Sequence, residues 1–459
     1  MWGPCIAMRE DWRIPADWLG FDGTPSGWHP ANCPSIISPV IPIRQVAISP
    51  NIPHEYRRNF IHLYMDTVWF GVLGGSAVSF LNVYATRLGA SGFQIGLITA
   101  VPAVVSLGLS IPAANWLHRQ PVGKAVFWTA ALARLGYLLW IPLPWLFANQ
   151  GQIWALILIT LAMGIPMCGL GISFNALFAA AVPSELRALI VGRRNMLQSL
   201  TYVIASIGAG YILDHVRFPL GYQVIFGIGF LSAAMSTLHL FFVRPQALSE
   251  PGFVPISDPP SPIQGKNTSH KWLASLHLDI WQTPFRNVLL VLMGFHLAQY
   301  LPLPLFPLYV VNKLHLSDSN IGWATAFFYL PVLLGSTQLS RMVNITGHRK
   351  LTGLGVIAMS VYPVAMSLAQ NALHYYLLSI VGGFAWALVG GAYANYLLEQ
   401  IPENERPFHL AWYSIVLNAA VLIGSLAGPL IANYIGLGTA LFFFGILRFF
   451  SGLAILKWG

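Results

Sequence analysis

The chain has 459 residues, of which 56% are hydrophobic and only 8% charged, and its mean hydropathy is +0.63. Soluble domains carry about 25% charged residues, so this much apolar surface excludes a single soluble globule and points to a membrane protein. The formal net charge of +9 reads as loop charge that sets membrane topology, not as a nucleic-acid surface.

Residues 1–55 stand apart. Prolines recur throughout, interleaved with Trp2, Trp12, Trp18 and Trp28, and no apolar run follows a basic start. The expectation is that this stretch is not a secretory signal. The composition predicts a disordered extension, or sequence ahead of the true start; the alternative is a folded binding segment that uses the tryptophans. Cys5, Cys33 and Cys168 have no metal-ligand spacing and read as free thiols.

Residues 56–243 contain six mostly apolar spans, near 60–84, 93–117, 125–146, 153–180, 195–214 and 221–243. Each is long enough to cross about 30 Å of hydrocarbon at about 1.5 Å per residue. Residues 244–285 form a linker. Its first part is rich in Pro and Ser, and from His270 to Trp281 it carries Trp272, Leu273, Leu276, Ile280 and Trp281 near one helical face. That pattern predicts a helix lying on the membrane surface. Residues 286–459 give six more spans, near 287–311, 320–340, 351–370, 374–398, 408–433 and 437–457.

Most loop charge falls on one side, including Arg57, Arg58, Arg119, Lys124, Arg187, Arg193, Arg194, Arg341, Arg349, Lys350 and Arg406. Arg87, Arg217 and Lys313 fall on the other. The positive-inside rule makes the first side cytoplasmic and places both termini there.

The two sets of spans echo each other. Ser91, Ile95 and Gly96 match Ser317, Ile321 and Gly322. Arg58, Asn59 and Met65 match Arg286, Asn287 and Met293. Tyr84, Arg87 and Leu88 match Tyr309, Lys313 and Leu314. Gly210 and Gly227 match Gly428 and Gly445. Such a long internal repeat in an apolar chain marks a transporter built from two related halves.

The turns after the second and eighth spans carry a further mark. One reads Asn344-Ile345-Thr346-Gly347-His348-Arg349-Lys350; the other ends Gln120-Pro121-Val122-Gly123-Lys124. With the repeat, they resemble the major facilitator superfamily, whose corresponding loop is roughly Asp-Arg-x-Gly-Arg-Arg/Lys. Amides, Gln120 and Asn344, stand in place of the family's acid. The resemblance implies an all-α membrane protein with twelve transmembrane helices in two pseudo-symmetric six-helix halves. It also implies a latch between the halves at the cytoplasmic loops: Gln120, Gly123, Lys124, Glu185 and Arg187 on one half, Asn344, Gly347, Arg349, Lys350 and Arg406 on the other. The central cavity would be lined from the first, fourth, seventh and tenth spans, which contain Asn82, Asn175, His296, Gln299, Tyr300, Tyr393 and Asn395. The fifth and eleventh spans add Gln198 and Asn418. The same groups can instead serve as helix–helix glue.

A charge at the bilayer centre costs at least about 2.5–3.5 kcal/mol, so buried charge needs a partner or a purpose. Asp66 in the first span and Arg134 in the third both lie on the order of 10–15 Å deep, a match that permits an ion pair. Asp66 is the candidate for a protonatable coupling site; the alternative is a structural acid held by a neighbouring Arg. The position matching it in the second half is Gly294. By resemblance, Arg134 and Arg448 sit on supporting helices and are structural. Pro302, Pro304 and Pro307 interrupt the seventh span, and Gly71, Gly74 and Gly75 loosen the first, a matched pair of irregular helices of the kind that borders a binding site.

No phosphate-cradling loop, nucleophile elbow or zinc-binding His pair occurs. The expectation is therefore a secondary transporter in the cell membrane: not an enzyme, without a cofactor or metal, monomeric, and taking a small-molecule substrate with protons as the candidate coupling ion. The leading reading is export of a partly hydrophobic solute. Proton-coupled uptake of a neutral nutrient such as a sugar, and a non-transporting sensor or scaffold on the same fold, remain open.

Overall fold

The computed structural model describes residues 54–117, 119–245, 278–402 and 406–459. Residues 1–53, with Cys5 and Cys33, and linker residues 246–277, with most of the surface helix expected from His270 to Trp281, lie outside the described residues. The linker's end, Leu278–Gln282, forms a tight turn that buries Ile280 and sets Trp281 edge-on against Trp412 at 5.5 Å.

Among the described residues every regular element is helical. The first half comprises α1 (Tyr56–Arg87), α2 (Gly92–Leu117), α3 (Val122–Trp140), α4 (Asn149–Ala181), α5 (Ser184–His215) and α6 (Leu220–Phe242). The second comprises α7 (Phe285–Lys313), α8 (Asp318–Thr346), α9 (His348–Met366), α10 (Ala372–Glu399), α11 (Arg406–Ile435) and α12 (Leu437–Trp458). Nine of these are long and apolar enough to cross a membrane. In the other three, charged residues within the helix lower its hydropathy: α3 holds Lys124 and Arg134, α8 holds Asp318 and Arg341, and α9 opens on His348-Arg349-Lys350.

Packing repeats with a step of six helices. In the first half α1 lies on α5 and α6, α4 on α2 and α3, and α3 on α6. In the second half α7 lies on α11 and α12, α10 on α8 and α9, and α9 on α12. The halves meet through α2 against α11 and α5 against α8. The sequence echo has a local cause. Ser91 Oγ accepts the Gln94 N–H at 3.3 Å, and Ser317 Oγ accepts the Asn320 N–H at 3.3 Å. Each serine caps a helix start, and Gln94 returns the bond to Ser91 N–H at 2.9 Å, completing a capping box.

Helix α5 departs from the expectation. Hydropathy starts the fifth span at 195, whereas the helix begins at Ser184, directly after Pro183. The stretch from Ser184 to Asn195 is charged but made largely of good helix formers, so it extends the helix instead of forming a loop. Arg187, Arg193 and Arg194 are therefore helical residues, not loop residues.

Helices α1 and α7 are both irregular. In α1 a wide turn spans Gly74–Val78. A Cβ on Gly74 would come within 2.5 Å of the Tyr202 ring, and one on Gly75 within 2.5 Å of the Tyr202 carbonyl, so only glycine allows α5 this close. In α7 the regular helix stops at Tyr300 and resumes at Leu305, because Pro302 and Pro304 bring no N–H.

Candidate transport pathway

Asp66 is 4% exposed and sits between two arginines. Its Oδ2 lies 3.2 Å from Arg194 Nη2 on α5, and its Oδ1 lies 3.9 Å from Arg134 Nη2 on α3. Ser236 on α6 donates to the same carboxylate. Arg194 also donates from Nε to Thr67 Oγ1 at 2.7 Å and lies over the Phe174 ring at 4.8 Å. Arg134 donates to Thr237 Oγ1 at 2.7 Å and to the Ala233 carbonyl at 3.2 Å. One carboxylate thus ties four helices together. Toward the linker side, α1 and α6 continue as a ladder of polar pairs: His62 Nδ1 and His239 Nδ1 are 3.0 Å apart, and Asn59 Nδ2 donates to the Arg244 carbonyl at 2.8 Å.

The second half handles the junction that corresponds to α1, α3 and α6 differently. Arg448 on α12 is 2% exposed. It donates to the carbonyls of Met359 on α9 and of Ala298 and Gln299 on α7, each at 3.2 Å. Pro302 cannot donate back to Ala298, so the guanidinium caps carbonyls that the break in α7 sets free. Ser451, on α12, donates to the Gly294 carbonyl at 3.3 Å, where Ser236 meets the side chain of Asp66 in the first half.

Of the predicted cavity residues, His296 and Tyr393 come together. His296 Nε2 is 3.0 Å from the Tyr413 hydroxyl, Tyr413 also bonds Tyr393, and the rings of His296 and Tyr393 meet edge-on at 6.2 Å. Tyr300 interacts with Tyr393 and Tyr413 in the same cluster. Asn418 bonds back to its own helix, at the Ser414 carbonyl, 2.8 Å away. The side-chain oxygens of Asn82 and Gln299 are buried without a partner among the described residues. Gln198 is half-buried on α5, Asn175 is exposed near the end of α4, and Asn395 is half-buried near the end of α10.

The sequence reading missed Tyr413, although it binds His296. Tyr413→Phe is expected to leave the His296 ring buried without its partner, at a cost of about 1–3 kcal/mol. Chemical denaturation in detergent would register this, and an unchanged midpoint would show that His296 does not depend on Tyr413. Also missed were Tyr202 and Tyr329, which stack across the α5–α8 seam with centroids 3.9 Å apart. The Tyr202 hydroxyl lies 2.9 Å from Ser79 Oγ on α1. Both tyrosines lie about 17–20 Å along their helices from His215 and Asp318, which places the stack near mid-membrane.

The halves touch closely on the face opposite the basic loops. A Cβ on Gly96 of α2 would come within 2.3 Å of the Ser425 carbonyl on α11, and one on Gly322 of α8 within 2.4 Å of the Ser206 carbonyl on α5. On the basic face the described bonds stay within a half. Arg187 donates to the carbonyls of Val182 and Ala179, Arg349 to those of Ile455 and Leu456, and His348 pairs with Glu399 at 2.7 Å. Gly347 turns the chain between α8 and α9 at φ +78°, a conformation that favours glycine. Gln120 lies in the α2–α3 turn, Gly123 and Lys124 stand in the first turn of α3, and Asn344 and Lys350 flank Gly347. Glu185 stands in the first turn of α5, Arg406 opens α11, and Glu403 and Glu405 lie outside the described residues.

Two six-helix repeats, packed alike and joined across a seam of glycines, define a multi-pass membrane transporter of the two-half secondary type. The chain belongs to the Major Facilitator Superfamily, whose family model matches residues 67–295 and 288–458; members of this family are transporters and generally not enzymes. Among curated proteins it is 26% identical over 148 residues to multidrug resistance protein 2 of Bacillus subtilis, covering 32% of this chain and only 36% of that protein. The match is longer to the multi-drug resistance efflux pump PmrA homolog of Lactococcus lactis, 23% over 406 residues, covering 84% of this chain and 93% of the relative. It is 23% identical over 295 residues to the cis,cis-muconate transport protein of Acinetobacter baylyi, covering 61% and 68%. Among solved structures, the D-xylose-proton symporter superposes with a TM-score of 0.65 at 14% identity, covering 87% of this chain and 97% of that one. A bacterial homologue of the iron transporter ferroportin gives 0.66 at 15% identity, covering 87% and 98%.

Proposed function

We propose that this transporter exports a small, partly hydrophobic organic solute carrying little fixed charge. The observation behind this reading is that the buried ionic groups Asp66, Arg134, Arg194 and Arg448 are already engaged, with one another or with backbone carbonyls. The polar groups left at middle depth are phenols, amides and an imidazole: Tyr202, Tyr329, Tyr300, Gln299, Asn418 and His296. The relatives named for multidrug resistance support the direction. A thermal-shift screen of purified protein against planar drugs, sugars, organic acids and nucleosides tests the substrate class. A ligand at 100 times its Kd adds about 2.7 kcal/mol. Stabilisation by drugs, together with drug tolerance in expressing cells, is the expected result; stabilisation by organic acids alone would reject it. Uptake of a sugar-like solute is the second reading. It is favoured by the unpartnered oxygens of Gln299 and Asn82, and sugar-dependent stabilisation would select it.

The membrane is the bacterial cell membrane in this reading, with the basic face and both termini cytoplasmic. Asp66 acts as the charge anchor of the first half rather than as the proton-coupling group. Its partners on α3, α5 and α6 all belong to the same half, so rocking of the halves leaves its surroundings unchanged. Asp66→Asn should therefore keep gradient-driven transport; loss of that transport in a variant that still folds would restore the coupling role.

A further inference from the structure

We propose that the groove between α9 and α12 holds an acyl chain of an anionic phospholipid, whose headgroup rests between Lys350 and Lys457. Neither helix belongs to the seam between the halves, which α2, α5, α8 and α11 form. Their exposed apolar residues, such as Val361 at 46% and Phe450 at 60%, therefore face lipid. A groove of about 330 Å³ opens between the two helices, within the size range of small-ligand sites. Val361, Val364 and Ala365 line it from α9, and Ile446, Phe449 and Phe450 from α12. Gly445 lets the helices approach here, since a Cβ on it would come within 2.4 Å of Val364 Cγ2. The one hydroxyl in the wall, on Ser360, is turned back to the Ile357 carbonyl at 2.6 Å. The wall thus offers a guest hydrocarbon contact and no free polar group, which suits an acyl chain.

Charge at the basic end of the same helix pair specifies the headgroup. Arg349 donates to the carbonyls of Ile455 at 3.2 Å and Leu456 at 2.8 Å, which ties the start of α9 to the end of α12. Lys350 follows Arg349 and Lys457 follows Leu456, so two exposed cations stand at one level on the basic face. Lys457 Nζ lies over the Trp458 ring at 4.8 Å, and tryptophan is enriched at headgroup depth. Glu399 is taken by His348 at 2.7 Å, and among the described residues neither lysine pairs with an acid. Unpaired lysines at the membrane surface attract anionic headgroups. The depths agree as well. The groove begins about 15 Å beyond Lys350 along α9 and about 10 Å before Lys457 along α12. One leaflet of hydrocarbon is about 15 Å thick, so a lipid whose phosphate meets the lysines carries its chain into the groove. The site is independent of the solute carried.

The test uses the full chain in phosphatidylcholine nanodiscs doped with phosphatidylglycerol that carries a diazirine at the end of one acyl chain. Photolysis and peptide mapping locate the chain end. Label is expected to concentrate on residues 360–365 and 445–450. Lys350→Gln and Lys457→Gln should each reduce that label about fivefold, while Arg119→Gln, which removes an exposed charge of the basic face on the other half, should not. The same diazirine on phosphatidylcholine should label these residues at least about fivefold less. Ala365→Phe fills the groove and should remove the label with both lysines in place. Unfolding midpoints in detergent show that each variant is folded, and the two lysine variants carry the test if Ala365→Phe is not. Soluble glycerol phosphate should fail to displace the lipid, because it brings no chain. Four results would overturn the proposal: equal labelling by the two lipids, labelling indifferent to both lysine variants, displacement by glycerol phosphate, or residues 360–365 shielded from lipid and cross-linked to a second copy of the chain.

Discussion

Replacing Asp66 by alanine is expected to be among the most destabilising single changes in the first half. It would leave Arg134 and Arg194 buried with no carboxylate between them; their side chains are 5% and 12% exposed. Removing one partner of a buried ion pair costs about 3–5 kcal/mol, most of it the penalty of the charge left behind. The source of that cost can be checked directly. Asp66→Asn should be milder, since an amide still bonds Ser236 and accepts from one guanidinium. Asp66→Ala combined with Arg194→Met should be more stable than Asp66→Ala alone, because it removes one stranded charge. Thermal unfolding in detergent ranks the three. A double variant no more stable than the single would mean that the cost comes from lost packing instead.

Gly322→Val is expected to act on conformation rather than on stability within a half. The new Cβ would lie 2.4 Å from the Ser206 carbonyl and 3.2 Å from the Gly210 Cα. Backbone of another helix cannot swing aside as a flexible side chain does, so α5 and α8 could not close. The population should shift by roughly tenfold or more toward the state open at the face opposite the basic loops, and turnover should fall with it because the cycle must pass through the closed seam. Gly208→Val on α5 is the control, since its Cβ would meet open space. Cysteine accessibility at the helix ends opposite the basic loops reads the shift. Equal behaviour of the two valine variants would show that the seam does not set the equilibrium.

The long apolar runs fix most helices, because a membrane leaves little else for twenty such residues to do. The repeat also carried real geometry: Ser91 and Ser317 cap equivalent helices, and Gly96 and Gly322 both lie on inter-half contacts. The prolines of α7 announced its break. Arg194 was misplaced because hydropathy ends a span where charge begins, whereas a helix ends only where its hydrogen bonds do. Tyr413, Tyr202 and Tyr329 carry no mark in the sequence. Their roles depend on which face one helix turns to another, and in a helix apolar on all sides no periodicity records that. The partners of Arg448 were unreadable for a different reason: they are backbone carbonyls, and every residue has one.

Arg448 also bears on how the protein is made. A lone arginine in the middle of an apolar segment opposes transfer from the translocon into lipid. The groups that satisfy it, the carbonyls of Ala298, Gln299 and Met359, belong to segments synthesised earlier. By the time α12 arrives, α7 and α9 can already stand in the bilayer and offer those oxygens. Integration of α12 then becomes conditional on prior assembly of its neighbours, and the broken stretch of α7, elsewhere a weakness, serves as the docking point that admits it.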